Sequence, residues 1–245
     1  MPEDDESTSF DPVAEFYDQT SAHMFSEEVL TPAVDLLAEL AGSGPALELA
    51  IGTGRVALPL AARGVPVSGI DASRKMVERL REKPGGKDIP VAIGDMSVTS
   101  IEGTFSLVYL VWNGLWNLRT QEKQVACFEN AARHLVPGGR FVIELIVPDL
   151  TNVSPGHNIQ PIRSDETGWS FDVYDVVTQR LTSNHYWITG QGVRARCGPG
   201  RYAWPSELDL MARIAGMKLE DRWAGWRREP FDEHSRSHIS VYQKA

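Results

Sequence analysis

Apolar runs and amphipathic stretches take turns along the chain as far as Val147, and this alternation predicts strands and helices in succession. Residues 45–50, 65–70, 91–93, 105–111 and 140–147 have the composition of buried strands. Between them the apolar positions fall at helical spacing. Val34, Leu37, Ala38 and Ala41 follow the start signal Thr31-Pro32 and stop at Gly42. Residues 56–62 form a helix ended by Gly64. Met76, Val77 and Leu80 line a helix over 73–83, and Val125, Phe128, Ala132 and Leu135 one that starts at Thr120 and ends at Pro137-Gly138-Gly139. Asp11-Pro12 repeats the start signal nearer the N-terminus, after an acidic stretch (residues 1–10) expected to be disordered. Strands separated by helices of this length predict a parallel sheet covered on both faces.

The pattern changes after Pro148. From 158 to 203 no helix is expected; 170–177, 184–189 and 193–197 read as strands joined by turns such as Gly190-Gln191-Gly192. An antiparallel insertion over 150–204 is therefore expected within a single domain spanning 11–245. Ser206-Glu207-Leu208-Asp209 looks like a capping box opening a helix through Ala215. Two strands, 218–223 and 237–242, close the chain.

Charge narrows the function classes. The 245 residues carry 24 Lys plus Arg against 33 Asp plus Glu, a formal charge of −9, which argues against binding phosphate backbones or anionic membranes. No apolar run approaches the ~18 residues of a membrane span. The polar N-terminus does not read as a signal peptide, and Cys127 and Cys197 lack metal-ligand spacing. A cytoplasmic protein without a metal site is expected; oligomeric state is not legible.

The candidate chemistry sits at strand ends. Glu48-Leu49-Ala50-Ile51-Gly52-Thr53-Gly54 is an acid and a glycine turn between strand and helix, where a ligand can approach the backbone closely. Asp71 ends the second strand, where an acid can accept hydrogen bonds from ribose hydroxyls. Asp95-Met96 ends the third, where a carboxylate can accept an exocyclic amine and a thioether can pack on a purine. Each has a plain structural alternative: a tight turn, a helix cap, a turn residue.

Taken together these segments resemble the class I S-adenosylmethionine-dependent methyltransferases, over about residues 16–242. The glycine turn is similar to the family's first motif, with Ala50 where a glycine usually stands. Asp71 matches the ribose acid and Asp95-Met96 the adenine contact. Residues 105–111 resemble the fourth strand, although many members have an acid where Ser106 stands, and Leu135-Val136-Pro137-Gly138-Gly139 resembles the turn before the fifth. The resemblance implies a Rossmann-like doubly wound α/β sheet, mostly parallel with an antiparallel C-terminal strand. It implies S-adenosyl-L-methionine as cofactor, held by Tyr17, Glu48, Ala50, Gly52, Thr53, Gly54, Asp71, Ala72, Met76, Asp95, Met96 and Val111. It also implies methyl transfer to an oxygen or nitrogen of a small-molecule acceptor.

Two alternatives stay open. Gly52-Thr53-Gly54-Arg55-Val56-Ala57 also satisfies the dinucleotide fingerprint, with Asp71 at the expected distance, so an NAD(P)-dependent oxidoreductase is the rival. Glu48 argues against it, because an acid repels a pyrophosphate and attracts an ammonium. A non-catalytic adenosyl-ligand-binding protein is the other.

Methyl transfer from a sulfonium is an in-line displacement, so the protein mainly aligns reactants and excludes water. Phe25, Trp112, Trp116 and Tyr186 are candidate substrate-binding residues, as aromatic rings hold flat or cationic ligands, and Glu144 can orient the substrate. A general base helps O-methylation more than N-methylation. His185, on a lid strand, is the first candidate, then His23; Glu144 and His157 are further groups of the right chemistry. His134 reads as a helix-dipole partner.

Overall fold

The computed structural model describes residues 10–245 apart from 152 and 155. The expected tail over 1–10 thus lies outside the described residues, save Phe10.

Five strands follow the predicted alternation: β1 (Ala46–Leu49), β2 (Val67–Asp71), β3 (Val91–Ile93), β4 (Phe105–Leu110) and β5 (Leu135–Ile146). The closing pair is β10 (Met217–Trp223) and β11 (Ser237–Lys244). They form one sheet in the order β3-β2-β1-β4-β5-β11-β10. The first five strands run parallel, and β11 is antiparallel to both β5 and β10. Side chains alternate between two cores. Leu47, Leu49, Val108, Leu110, Phe141 and Ile143 pack on helices α5 (Gln121–His134) and α6 (Pro205–Ile214). Ala46, Leu107, Tyr109, Val142 and Val241 pack on α2 (Glu27–Ala41) and α3 (Ala57–Ala62). Helix α4 (Arg74–Glu82) adds Leu80 to this second core.

β1 lies between β2 and β4, so its connections leave in opposite directions and open a crevice at the strands' carboxyl ends. That crevice carries the glycine turn after β1 and Trp112 after β4.

The insertion is a separate antiparallel sheet of four strands, β6 (Ile159–Asp165), β7 (Gly168–Asp175), β8 (Arg180–Thr189) and β9 (Gly192–Arg201). β6 has no counterpart among the three runs predicted. It is an edge strand, largely exposed, so no alternation of buried positions marks it. β7 stops before the predicted end because Asp175 accepts the Val177 and Thr178 amides and turns the chain.

Three helix starts differ from expectation. Asp11 caps no helix; its carboxylate accepts from Ser73 Oγ, and α1 is one turn, Tyr17–Thr20. α2 begins at Glu27, with Glu27 and Glu28 in its first turn favouring the dipole, and Pro32 lies inside it. α6 begins at Pro205, and Ser206 makes no cap. Asp209, the acid of the expected box, pairs instead with Arg222 at 2.5 Å, while Glu207 accepts the Arg201 guanidinium at 2.7 Å. Arg201 also donates to Gln124 Oε1 at 2.5 Å and to Gln179 Oε1 at 3.2 Å. This buried cluster fastens the end of β9 to α5 and α6.

Candidate active site

The glycine turn is held from below by Asp71. Asp71 Oδ2 accepts the Gly52 amide at 2.7 Å, and Oδ1 accepts the Ser73 amide at 2.8 Å. Burial raises its pKa, opposed by those two amides. Glu48 lies deeper, 3% exposed, and accepts the Tyr109 hydroxyl at 2.9 Å. Burial pushes its pKa up to about 8, against the Tyr109 bond and the nearby Arg55 charge. Glu48 therefore lies in the core beneath the turn rather than on its rim. Ala50 and Gly52 both have left-handed backbone, φ 55° and 57°. Ala50 thus adopts the conformation for which glycine is usual, at a strain cost of about 1 kcal/mol.

Thr53 and Gly54 complete the turn. Thr53 Oγ1 donates to Asp18 Oδ1 at 2.6 Å, and Lys83 Nζ bridges Asp18 Oδ2 at 2.5 Å and the Thr53 carbonyl at 2.8 Å. The same ammonium lies over the Phe25 ring, 5.3 Å from its centroid. The segment 10–26 is thereby tied across the turn, and Tyr17 is half-buried there, within the fields of Arg55, Arg196 and Asp71. Met76 packs beneath Gly52, and Met96 lies in the core. Asp95 accepts the Ser97 amide at 2.8 Å and hydroxyl at 2.7 Å and pairs with Lys123 at 3.3 Å. Against its burial, these partners hold its carboxyl below the usual range. Ala72 follows Asp71 at the end of β2, and Val111 packs against the α2–α3 core.

After β4 the chain passes through two consecutive left-handed residues, Trp112 (φ 53°) and Asn113 (φ 57°). β5 clasps this corner: Glu144 accepts the Trp112 amide and the Trp226 indole N–H, each at 2.8 Å. The Trp112 ring meets His23 edge-on at 6.1 Å, and the Arg55 guanidinium lies 5.5 Å from its centroid. His23, Trp112 and Glu144 are thus brought together, although both Glu144 oxygens are occupied. Arg55 and Trp226 were missed. Arg55 carries no signal of its own within the glycine turn, and nothing local relates Trp226 to a strand 82 positions away.

Strand pairing decides which insertion residues face inward. Ser170, His185 and Arg196 share a rung, and the inner face also carries Asp172 and Ser183. From this face Arg194 and Arg196 stack on Phe16 and Phe10 at 4.7 and 4.6 Å. His185 Nε2 lies 3.0 Å from Ser183 Oγ, and Trp187 stacks on its ring at 5.8 Å. Burial and Arg196 hold the imidazole pKa below its ordinary value. Tyr186 does not join the site: the two-residue period turns it to the opposite face, stacked on Trp169 at 5.0 Å and beside Phe171 at 6.1 Å. Trp116 packs between the α5 core and the insertion. His157 sits in an exposed turn paired with Ser154. His134 is a neutral structural group: its Nε2 accepts the Ile101 amide at 3.1 Å, leaving Nδ1–H for the Asn130 carbonyl at 2.8 Å.

This donor set fits an adenosyl sulfonium better than a dinucleotide. The Gly52 amide, which would cradle a pyrophosphate, is spent on Asp71, and Asp11, Asp18 and Asp71 make the turn's surroundings anionic. A cationic, phosphate-free donor is favoured there and a pyrophosphate repelled.

Comparisons with known proteins agree. Residues 46–139 match the family model described as a methyltransferase domain. The solved CcbJ methyltransferase from Streptomyces caelestis superposes with a TM-score of 0.87 and 34% identity, covering 98% of this chain and 99% of that one. The cypemycin N-terminal methyltransferase of Streptomyces sp is 26% identical over 238 residues, covering 93% of this chain and 97% of its own. CalS10, an amino pentose methyltransferase from Micromonospora echinaspora solved with S-adenosylmethionine bound, shares the fold at a TM-score of 0.68 and 19% identity, with 94% and 96% covered. Among the described residues no helix is long and apolar enough to cross a membrane.

Proposed function

Because this chain belongs to the class I S-adenosylmethionine-dependent methyltransferases, we propose that it methylates an amine nitrogen of a small acceptor, with His185 taking up the proton that the nitrogen sheds. Membership makes the protein an enzyme whose cofactor is S-adenosylmethionine and sets the nicotinamide alternative aside. When bound, that cofactor supplies an electrophilic methyl carbon on a sulfonium.

The remaining work belongs to the chain. Asp71 fixes the glycine turn and has lone pairs left for the ribose, and Asp95 stands at the next strand end for the adenine amine. Met76 and Met96 pack beneath, with Ala72 and Val111 at the edges, and the Arg55 cation is placed for the amino-acid carboxylate. Tyr17 and the segment 10–26 exclude water over the methyl group. Trp112, beside His23, offers a ring face to a cationic nitrogen, and the acids of the cleft draw an ammonium in.

The observation that carries the proton role is the inner rung of the insertion. Ser183 Oγ lies 3.0 Å from His185 Nε2, and in our reading this oxygen accepts the Nε2–H. The basic lone pair is then on Nδ1, and burial beside Arg196 keeps the ring neutral. The choice of nitrogen is supported by the relative named for an N-terminal amine, similar along nearly its whole length. The free thiols Cys127 and Cys197 fit a reducing compartment, and we place the enzyme in the cytoplasm.

The test is release of S-adenosylhomocysteine against matched amine and alcohol acceptors, with the methyl located by mass spectrometry. Methyl found on nitrogen supports the proposal; methyl found only on oxygen overturns it.

A further inference from the structure

A small cavity borders the site on the insertion side. Phe10, Asn117, Arg119, Arg196, Gly198 and Pro199 line it, and its volume is about 30 Å³, room for one small polar group. Two arginines are among these residues. Arg119 Nε is buried without a hydrogen-bond partner, and neither arginine has an ion-pair partner among the described residues. Two other arginines of the insertion are paired, Arg201 with Glu207 and Arg163 with Asp165. Arg196 rests its flat face on Phe10, which leaves its N–H edge free. In a chain with nine more acids than bases, two cations that line one small cavity without an ion-pair partner among the described residues favour an anion. Phe10 meets Tyr17 edge-on at 6.2 Å, so the cavity lies one ring away from the cover of the methyl group.

We propose that Arg119 and Arg196 bind a carboxylate carried by the acceptor, so that the substrate is an amine bearing an acid group. This rests on the methyltransferase reading above and adds to it a second anchor, which would set the distance between the methylated nitrogen and the acid. The guanidinium fork suits a carboxylate held by two N–H donors, and the cavity's size favours a planar oxyanion of few atoms.

The experiment follows the arginine Nε–H resonances of the isotope-labelled full chain during titration with sodium acetate, with sodium chloride at matched ionic strength as control. The Arg119 and Arg196 signals should shift saturably with acetate and not with chloride. Arg119→Gln and Arg196→Gln should each weaken acetate binding at least tenfold, while the exposed Arg180→Gln leaves it unchanged. S-adenosylmethionine affinity, measured separately by calorimetry, should hold in all three variants; its absence in the wild type would count against the enzyme reading, not against this site. Absence of an acetate response, or a response equal in the wild type and both cavity variants, overturns the proposal. So does a response seen only when Asp4, Asp5 and Glu6 are changed to amides, for the chain's own acids would then be the occupant.

Discussion

Asp71 and Gly52 are joined by a 2.7 Å hydrogen bond from backbone amide to carboxylate that spans 19 residues and links the ends of two parallel strands. One acid thereby shapes the turn and presents its remaining lone pairs beside it. The Ser73 bond at 2.8 Å fixes the rotamer.

Asp71→Ala should therefore damage turn and ribose recognition together. Leaving the Gly52 and Ser73 donors unpaired costs about 1–3 kcal/mol, or roughly 5- to 150-fold in S-adenosylmethionine affinity. Calorimetry reads this directly. Unchanged affinity would remove Asp71 from the site.

Glu144 holds the corner on which Trp112 is displayed. Glutamine has one acceptor oxygen, so Glu144→Gln cannot satisfy both the Trp112 amide and the Trp226 indole. Two successive left-handed residues cost about 1–3 kcal/mol each and persist only where the surroundings hold them. The variant should raise the acceptor KM about tenfold, the equivalent of one hydrogen bond to a charged group, with S-adenosylmethionine affinity nearly kept. An unchanged KM, or an equal loss for both ligands, counts against a positioning role.

The parts of the fold that were legible are those where burial imposes a period. β1, β2 and β4 are buried nearly throughout, and the residue types show it. β6 has no buried face, so its strand character comes from pairing with β7 and leaves no mark in its own residues. The capping box failed for a related reason: Asp209 suits a cap, but Arg222 and Tyr242 compete for it from the two closing strands. In the site, Asp71 could be read from its place at a strand end. The depth of Glu48, the outward turn of Tyr186 and the approach of Asp172 to Ser183 depend on register and tertiary packing, which no local pattern encodes.

The inner rung of the insertion gives a kinetic prediction. A positioned base contributes about 10²–10⁴-fold, so His185→Ala should lower kcat by that order near neutral pH. Because the imidazole pKa is depressed, the acid limb of kcat/KM in the wild type should lie below the ordinary histidine range. Ser183→Ala, which frees the ring tautomer, should lower kcat and leave S-adenosylmethionine affinity intact. Near-normal turnover by His185→Ala at every pH would end the assignment.

The Arg201 cluster makes the insertion's attachment measurable. Its guanidinium and the Glu207 carboxylate are 6% and 15% exposed, and the pair is held at 2.7 Å. Arg201→Met leaves Glu207 without its cation, which costs about 3–5 kcal/mol when a buried pair is broken. Denaturant unfolding should show a loss of that order. A loss under about 1 kcal/mol, the worth of a surface pair, would mean that the cluster does not fasten the insertion.

Glu48 and His238 impose opposite pH dependences on stability. His238 is buried on β11, and burial lowers its pKa from 6.5 to about 4. Between those values the unfolded chain binds the extra proton, so stability falls as the medium is acidified, by about 3 kcal/mol in all. Glu48 has its pKa raised from 4.5 to about 8. There the folded chain binds the extra proton, so its contribution is complete below pH 4.5 and is lost as pH rises through 8. Glu48→Gln removes only the second effect. The difference in unfolding free energy between wild type and Glu48→Gln should therefore change by about 1.4 kcal/mol per pH unit across that window, favouring the wild type at the acid end. Outside the window it should be constant, and the acid-side decline assigned to His238 should persist in both proteins. A difference independent of pH would mean that Glu48 is ionised in the folded protein at neutral pH.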